Sequence, residues 1–305
     1  MAFTAKDVQK LREMTGVGMM DCKKALTASD GDMDKAVDYL REKGLAAAQK
    51  KAGRIAAEGM AYAAVIDNIG VCVEVNAESD FVAKNDLFVE FVKAVAEVVA
   101  KENPADLEAL MACKYPGSDK SVQDMQNEKV LVIGENIKVR RFARYAEGYS
   151  VPYIHAGGKI GVIVNMAVEG FEAEKAEELG KDIAMQIAAM NPAFLDKANV
   201  DAGTINKEKE ILLAQIEQDP KNASKPQNIK EKMIEGRISK YYSENCLMQQ
   251  EFVKGDKISV EKHVAEVAKS LGGKITVCAF TRFEKGEGIE KKQENFAEEI
   301  ASLVK

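Results

Sequence analysis

A chain of 305 residues exceeds the usual single domain of roughly 100 to 200 residues, so two or three folded units are expected. With 46% hydrophobic and 30% charged residues it reads as an ordinary globular protein, and its net charge of −6 argues against a broad phosphate-binding face, which draws on clustered Lys and Arg. A protein partner or a small ligand is a better expectation than nucleic acid. The cysteines (Cys22, Cys72, Cys113, Cys246, Cys278) are scattered with no C-x-x-C pair, which suits a reducing cytoplasm. The opening MAFTAKDVQK lacks signal- and transit-peptide character, and no apolar run approaches the roughly 18 residues of a membrane helix.

From residue 4 to 44, Val8, Leu11 and Met14, then Ala25 and Leu26, then Ala36, Val37 and Leu40 recur at helical intervals and predict three short helices. Thr4 with Asp7 can cap the first, Asp30 or Asp32 the third, and Gly16 and Gly44 stand where helix ends need a left-handed residue. The small and basic stretch 46–59 reads as a helical or flexible link. A module of this size, residues 1–54, has a thin core and suits docking better than enclosing a reaction.

Strands mixed with helices follow. AYAAVI (61–66) and VCVEVNA (71–77), separated by the turn composition DNIG, predict a hairpin with Val71, Val73 and Val75 on its one buried face. Phe88, Phe91, Val92, Val95 and Val99 place a helix over 88–100, and IKVRRFARYA (137–146) a further strand, within a first core half at 55–148. The order then repeats in a second half, 149–288. YIHAGGKIGVIVNMAV (153–168) matches the hairpin, 175–190 the helix, and GGKITVCAFTRFEKGEG (272–288) the later strand. The expected class is α+β, a duplicated antiparallel-sheet core with helices on one face of each sheet. Two polar-faced helices joined by DPKNASKPQ interrupt the second half near 204–250 as a projecting helical hairpin, whose stripes are Ile211, Leu212 and Ile216 against Ile229, Met233, Ile234 and Ile238. A short helical module is expected at 289–305.

Catalytic patterns are poor. AGGKIG (156–161) has Ile160 where a phosphate loop needs a hydroxyl, and GVGMMD (16–21) lacks the third glycine and preceding strand of a dinucleotide fingerprint. His155 and His263 have no neighbouring ligand or relay pattern, so packing or surface roles are the simpler account.

ESDFVAKND (78–86), between an apolar strand and an apolar helix, admits two readings. Asp80 or Asp86 caps a helix with Phe81 or Val82 stapling the turn onto the core. Alternatively, Phe81 is an exposed anchor on a rigid support, with an acid beside it to disturb a partner's charged site.

LREMTGVGMMDCKKAL (11–26) resembles the N-terminal signature of the elongation factor Ts family, and EVNAESDFVAKN (74–85) resembles its second signature; the resemblance spans essentially the whole chain. Ser79 stands where that family usually has threonine, and keeps the hydroxyl. The resemblance implies a guanine nucleotide exchange factor for elongation factor Tu in the cytoplasm. It would be no enzyme and would have no cofactor, no metal of its own, and no direct nucleic-acid or membrane partner. It further implies that the N-terminal module is similar to a ubiquitin-associated domain and docks on the partner's GTPase domain. Ser79, Asp80, Phe81 and Val82 would displace the partner's magnesium ion. Leu11, Met19 and Met20 would face the partner from the module, with core filling the alternative for the methionine pair. His155 and Gly157 would make further contacts, and the helical hairpin could pair two copies. A different class remains open: an adaptor that binds partners through its ubiquitin-associated-like module, the core serving as scaffold. An enzyme with Cys22 as nucleophile is a third.

Overall fold

A computed structural model describes residues 3–255 and 257–290, so the helical module expected at 289–305 lies, from residue 291 on, outside the described residues. Helix α1 (Ala5–Thr15) opens on a capping box, Thr4 N donating to Asp7 Oδ2 at 2.7 Å, and ends on Gly16 at φ 68°, whose N–H reaches Arg12 O. Helix α2 (Met19–Ala28) starts after Gly18, so GVGMMD is a tight helix connection. Helix α3 (Met33–Lys51) starts on Asp32, which accepts from Lys35 N. Leu11, Cys22, Leu26, Ala36 and Leu40 form the core between the three. Gly44 does not end α3 as its position suggests. It is buried in mid-helix, where a Cβ would lie 3.5 Å from the backbone oxygen of Asn127, and the helix continues through the expected link to Lys51.

Strands β1 (Glu58–Ile66) and β2 (Ile69–Ala77) pair antiparallel from Glu58↔Ala77 to Ile66↔Ile69. Their turn is only Asp67 and Asn68, both at positive φ (50° and 64°), the conformation whose twist matches that of the strands. Then come the one-turn α4 (Asp80–Ala83), α5 (Asp86–Glu102), α6 (Leu107–Ala112), α7 (Val122–Ile133) and β3 (Lys138–Tyr145), which completes a sheet of order β1-β2-β3. Val71, Val73 and Val75 meet Phe88, Phe91, Val92 and Val95 of α5, as their periods require. Helix α3 packs along α7, and Leu131 and Val132 of α7 reach the three-helix core.

The expectation of one buried hairpin face is overturned: Cys72, Glu74 and Asn76 on the other face of β2 are buried too. A polar residue tolerates such burial only when its bonds are met, and those of Glu74 are. Arg140 Nη1 donates at 2.9 Å, Arg141 Nε at 2.5 Å, Gly286 N at 2.8 Å and Asn76 Nδ2 at 3.0 Å. The segment 283–287 forms this cover, Arg140 donating to Glu287 O and Lys285 Nζ to Glu58.

Strands β4 (Tyr149–His155) and β5 (Ile160–Glu169), helix α8 (Glu177–Met190), helices α9 (Ala202–Gln218) and α10 (Gln227–Asn245), helix α11 (Val260–Ser270) and strand β6 (Lys274–Glu284) follow. The second sheet has the order β4-β5-β6, so the fold is α+β with two antiparallel three-stranded sheets in the same strand sequence. Helices α9 and α10 pack on each other with Leu212, Ile216 and Ile238 buried; Ile211 and Ile229, expected in the stripes, are exposed. By contacts the chain divides into two compact units. One comprises the described parts of Met1–Arg144, Ile154–Gly161 and Phe283–Lys305, the other Tyr145–Tyr153 and Val162–Arg282. Among the described residues no helix is long and apolar enough to cross a membrane.

Glu74→Ala would leave Arg140 and Arg141 facing a buried void. A loss of about 3 kcal/mol is expected from denaturant unfolding, as for removal of one partner from a buried ion pair; a change below about 0.5 kcal/mol would show that the cover does not depend on this carboxylate.

Candidate functional site

Residues 78–86 combine features of both readings of the sequence. Ser79, not Asp80, caps α4, its hydroxyl accepting from Val82 N at 3.4 Å, and Asn85, not Asp86, caps α5, its side chain accepting from Leu87 N at 2.9 Å. Val82 and Ala83 turn inward, Val82 joining the core beneath β2 and α5. Phe81 points the other way and is 82% exposed, the most exposed large apolar side chain among the described residues. Beside it Asp80 is also exposed, accepting only from Lys84 Nζ at 3.2 Å among the contacts resolved there. The structure thus gathers Ser79, Asp80, Phe81 and Val82 on one turn, with two residues anchoring it and two presented outward.

What holds this turn in place comes from far along the chain. Both carboxylate oxygens of Glu135, between α7 and β3, are engaged: Ser79 Oγ donates to one at 2.6 Å, and the backbone N–H groups of Glu78 and Ser79 donate to the other at 3.1 and 3.0 Å. Glu78 returns the contact by accepting from Asn136 N at 2.5 Å, and Asn136 Nδ2 donates to Arg54 O at 2.8 Å. Arg54 also pairs with Glu78 at 3.5 Å. Sequence reasoning did not find Glu78, Glu135, Asn136 or Arg54 as parts of the site. The run GEN (134–136) is visible, but its bonds span more than fifty residues, a distance that local periodicity cannot bridge.

The remaining expected residues lie on separate elements. Met19 and Met20 start α2, and Met20 is 65% exposed, with Met14 of α1 also outward. Leu11, expected beside them, is fully buried and shapes the module's core instead of its surface. His155 ends β4 and Gly157, at φ 64°, lies in the following turn; both are exposed. The glycines next to them have a packing reason. A Cβ at Gly158 would come 2.7 Å from Met60 Cγ and one at Gly161 3.0 Å from Ala61 C, while Ala61 N donates to Gly158 O at 2.8 Å. His263 stacks on Phe252 with centroids 4.0 Å apart. Cys22 is buried, and burial pushes its thiol pKa up, away from the thiolate a nucleophile needs; burial pushes Cys72 up to about 12. Among the described residues no group of three or more His, Cys, Asp or Glu could hold a metal ion.

A family model described as elongation factor TS matches residues 78–287. Curated relatives named elongation factor Ts include one from Clostridium perfringens (strain SM101), 52% identical over 305 residues and covering 99% of each chain. Another, from Trichlorobacter lovleyi, is 49% identical over 312 residues, covering 100% of this chain and 99% of its own. A third, from Clostridium novyi, is 48% identical over 302 residues, covering 97% of each.

Adjacent residues of the turn should respond oppositely to truncation. Phe81→Ala is expected to leave the unfolding free energy measured in urea within about 0.5 kcal/mol of the parent, as for a surface change, whereas Val82→Ala should cost about 1.5 kcal/mol by opening the core. A loss at Phe81 as large as at Val82 would mean that the aromatic ring supports its own fold.

Proposed function

The chain belongs to the elongation factor Ts family, and on that footing we propose that it releases GDP from elongation factor Tu by pressing Phe81 and Asp80 against the magnesium side of the partner's nucleotide site. Family membership makes it a nucleotide exchange factor of translation elongation with elongation factor Tu as its partner. The finer assignment is ours, and the exposure of Phe81 on a tied-down turn carries it. Single exposed apolar residues are common on protein surfaces and need no explanation. Here, however, the neighbours on the turn are anchored, and the ring is held out where folding gains almost nothing from it. Burying a Phe side chain is worth roughly 1.5 to 3 kcal/mol, which is then available to a complex.

Phe81 would enter between partner helices, and the Asp80 carboxylate would compete for donors near the metal. Magnesium offsets the charge of the β-phosphate, so disturbing its ligands weakens the hold on GDP and speeds dissociation. No bond in this chain needs to break, and no proton needs to move. Linkage makes the effect reciprocal: a factor that weakens GDP binding is itself weakened by GDP to the same degree, so nucleotide rebinding frees it for another cycle. Met19 and Met20, through the three-helix module, His155 and Gly157 would add affinity without touching the metal. The ubiquitin-associated likeness of that module, the division at 54, 148 and 288, the cytoplasmic setting and pairing of copies through α9 and α10 belong to the same proposal.

The test is a timed release. Elongation factor Tu loaded with fluorescent GDP in magnesium buffer is mixed with catalytic amounts of this protein and excess unlabelled nucleotide. Strong acceleration is expected, and Phe81→Ala should reduce it about thirtyfold at subsaturating factor, the equivalent of a 2 kcal/mol anchor. Equal exchange by the variant would remove Phe81 from the mechanism. Retained binding with no acceleration by the parent protein would favour an adaptor.

A further inference from the structure

We infer that Glu135 is a positioning residue for nucleotide exchange, acting through the Ser79 hydroxyl and the backbone N–H groups of Glu78 and Ser79 to set the direction in which Phe81 and Asp80 leave the fold. The inference rests on the function proposed above and names a residue that does not itself touch the partner's nucleotide. Glu135 takes three bonds from the two residues just before the turn, at 2.6, 3.0 and 3.1 Å. Bonds to an ionised acceptor are about twice as strong as neutral ones. They also fix an orientation, because two neighbouring N–H groups and one hydroxyl converge on a single planar carboxylate. The Ser79 hydroxyl is used twice: it donates to Glu135 and accepts from Val82 N, so one atom joins the support to the first turn of α4.

The support is itself braced. Gly134, at φ 89°, ends α7 and turns the chain so that Glu135 and Asn136 face residues 78–79. Asn136 is buried and its N–H donates back to Glu78, so the corner between α7 and β3 and the end of β2 hold each other through both of their acids. Arg54, beyond the end of α3, closes the ring through its carbonyl and its guanidinium. A four-residue helix left to itself would sample many directions. The hydrogen-bonded ring instead fixes the backbone from which Phe81 projects.

A wedge loses effect when its direction is uncertain, since only correctly oriented encounters displace the metal, while the affinity supplied by other surfaces is kept. Glu135→Gln keeps the shape but removes the charge: its amide oxygen can stay on the two N–H groups only if its NH2 turns to the Ser79 hydroxyl, whose own proton then loses its carboxylate acceptor. Ser79→Ala removes the linking hydroxyl, and Ser79→Thr restores it. In the fluorescent GDP assay with elongation factor Tu, Glu135→Gln and Ser79→Ala are each expected to lower the maximal release rate at saturating factor about tenfold. The factor concentration giving half the maximal rate should change less than about threefold, and Ser79→Thr should stay within about twofold of the parent. Hydrogen exchange of the free variants should show faster exchange of the Glu78 and Ser79 amides in Glu135→Gln, with amides of α1 and α2 unchanged. Adding Glu135→Gln to Phe81→Ala should slow release by less than about twofold more, because without the anchoring ring the orientation of Asp80 no longer brings its carboxylate to the metal.

An unchanged maximal rate in Glu135→Gln, with Phe81→Ala still slow, overturns the inference and leaves the proposed function standing. An equal further loss in the double variant overturns it too, because the carboxylate would then be acting without the ring. If Phe81→Ala exchanges like the parent, the function proposed above fails first. Should Glu135→Gln not fold, the Ser79→Ala and Ser79→Thr pair decides: equal rates for the two reject the inference.

Discussion

A helix of one turn has no internal reason to persist, because forming it fixes three residues for a single hydrogen bond. Helix α4 lasts only because the surrounding structure determines it: Val82 and Ala83 anchor one side in the core, Ser79 caps its start, and Glu135 grips the residues before the cap. Phe81 and Asp80 occupy the side that remains. The surface proposed to meet the partner is therefore what is left over when every other contact of the turn has been assigned to the fold. Placement on such a fixed support suits binding, because an anchor that is already oriented has less freedom to lose when a partner arrives.

The same economy governs the sheet behind the turn. Strand β2 is covered on one face by α5 through apolar packing and on the other by a polar arrangement around Glu74. A carboxylate at the centre of a sheet is tolerable because two guanidinium groups and a backbone N–H meet it, and the arrangement fails if any large part is withdrawn. Strand β2 runs directly into the segment that carries Ser79, so its rigidity is passed to the turn along the chain. Gly158 and Gly161 show the complementary device, backbone brought close to Met60 and Ala61 where a side chain would intrude.

Much of this was legible in the residues. The 3.6-residue spacing of Phe88, Phe91, Val92 and Val95 and the alternation of Val71, Val73 and Val75 describe one shared core, and the structure has it. Thr4 with Asp7, Gly16 and Asp32 mark helix ends by local chemistry. The repeated order of hairpin, helix and strand is matched by two sheets of the same topology. Other features were hidden because their causes are not local. Glu74 looks like an outward polar residue until Arg140 and Gly286 cover it. Gly44 looks like a helix end because nothing nearby in sequence announces Asn127. Helices α6 and α7 have no strong apolar period to announce them, although Ser121 and Asp124 carry the spacing of a capping box. Leu11 belongs to a signature stretch and is nevertheless buried, since a segment can resemble a family for the sake of its fold.

Exchange by this route depends on where one side chain goes when the partner binds. The most direct measurement is a structure of this protein with nucleotide-free elongation factor Tu, read at Phe81. The ring is expected to leave solvent and lie against the partner beside the pocket that held magnesium and the phosphates, with Ser79 still bonded to Glu135. A complex in which Phe81 remains in water, or has folded back onto its own chain away from that pocket, would contradict it.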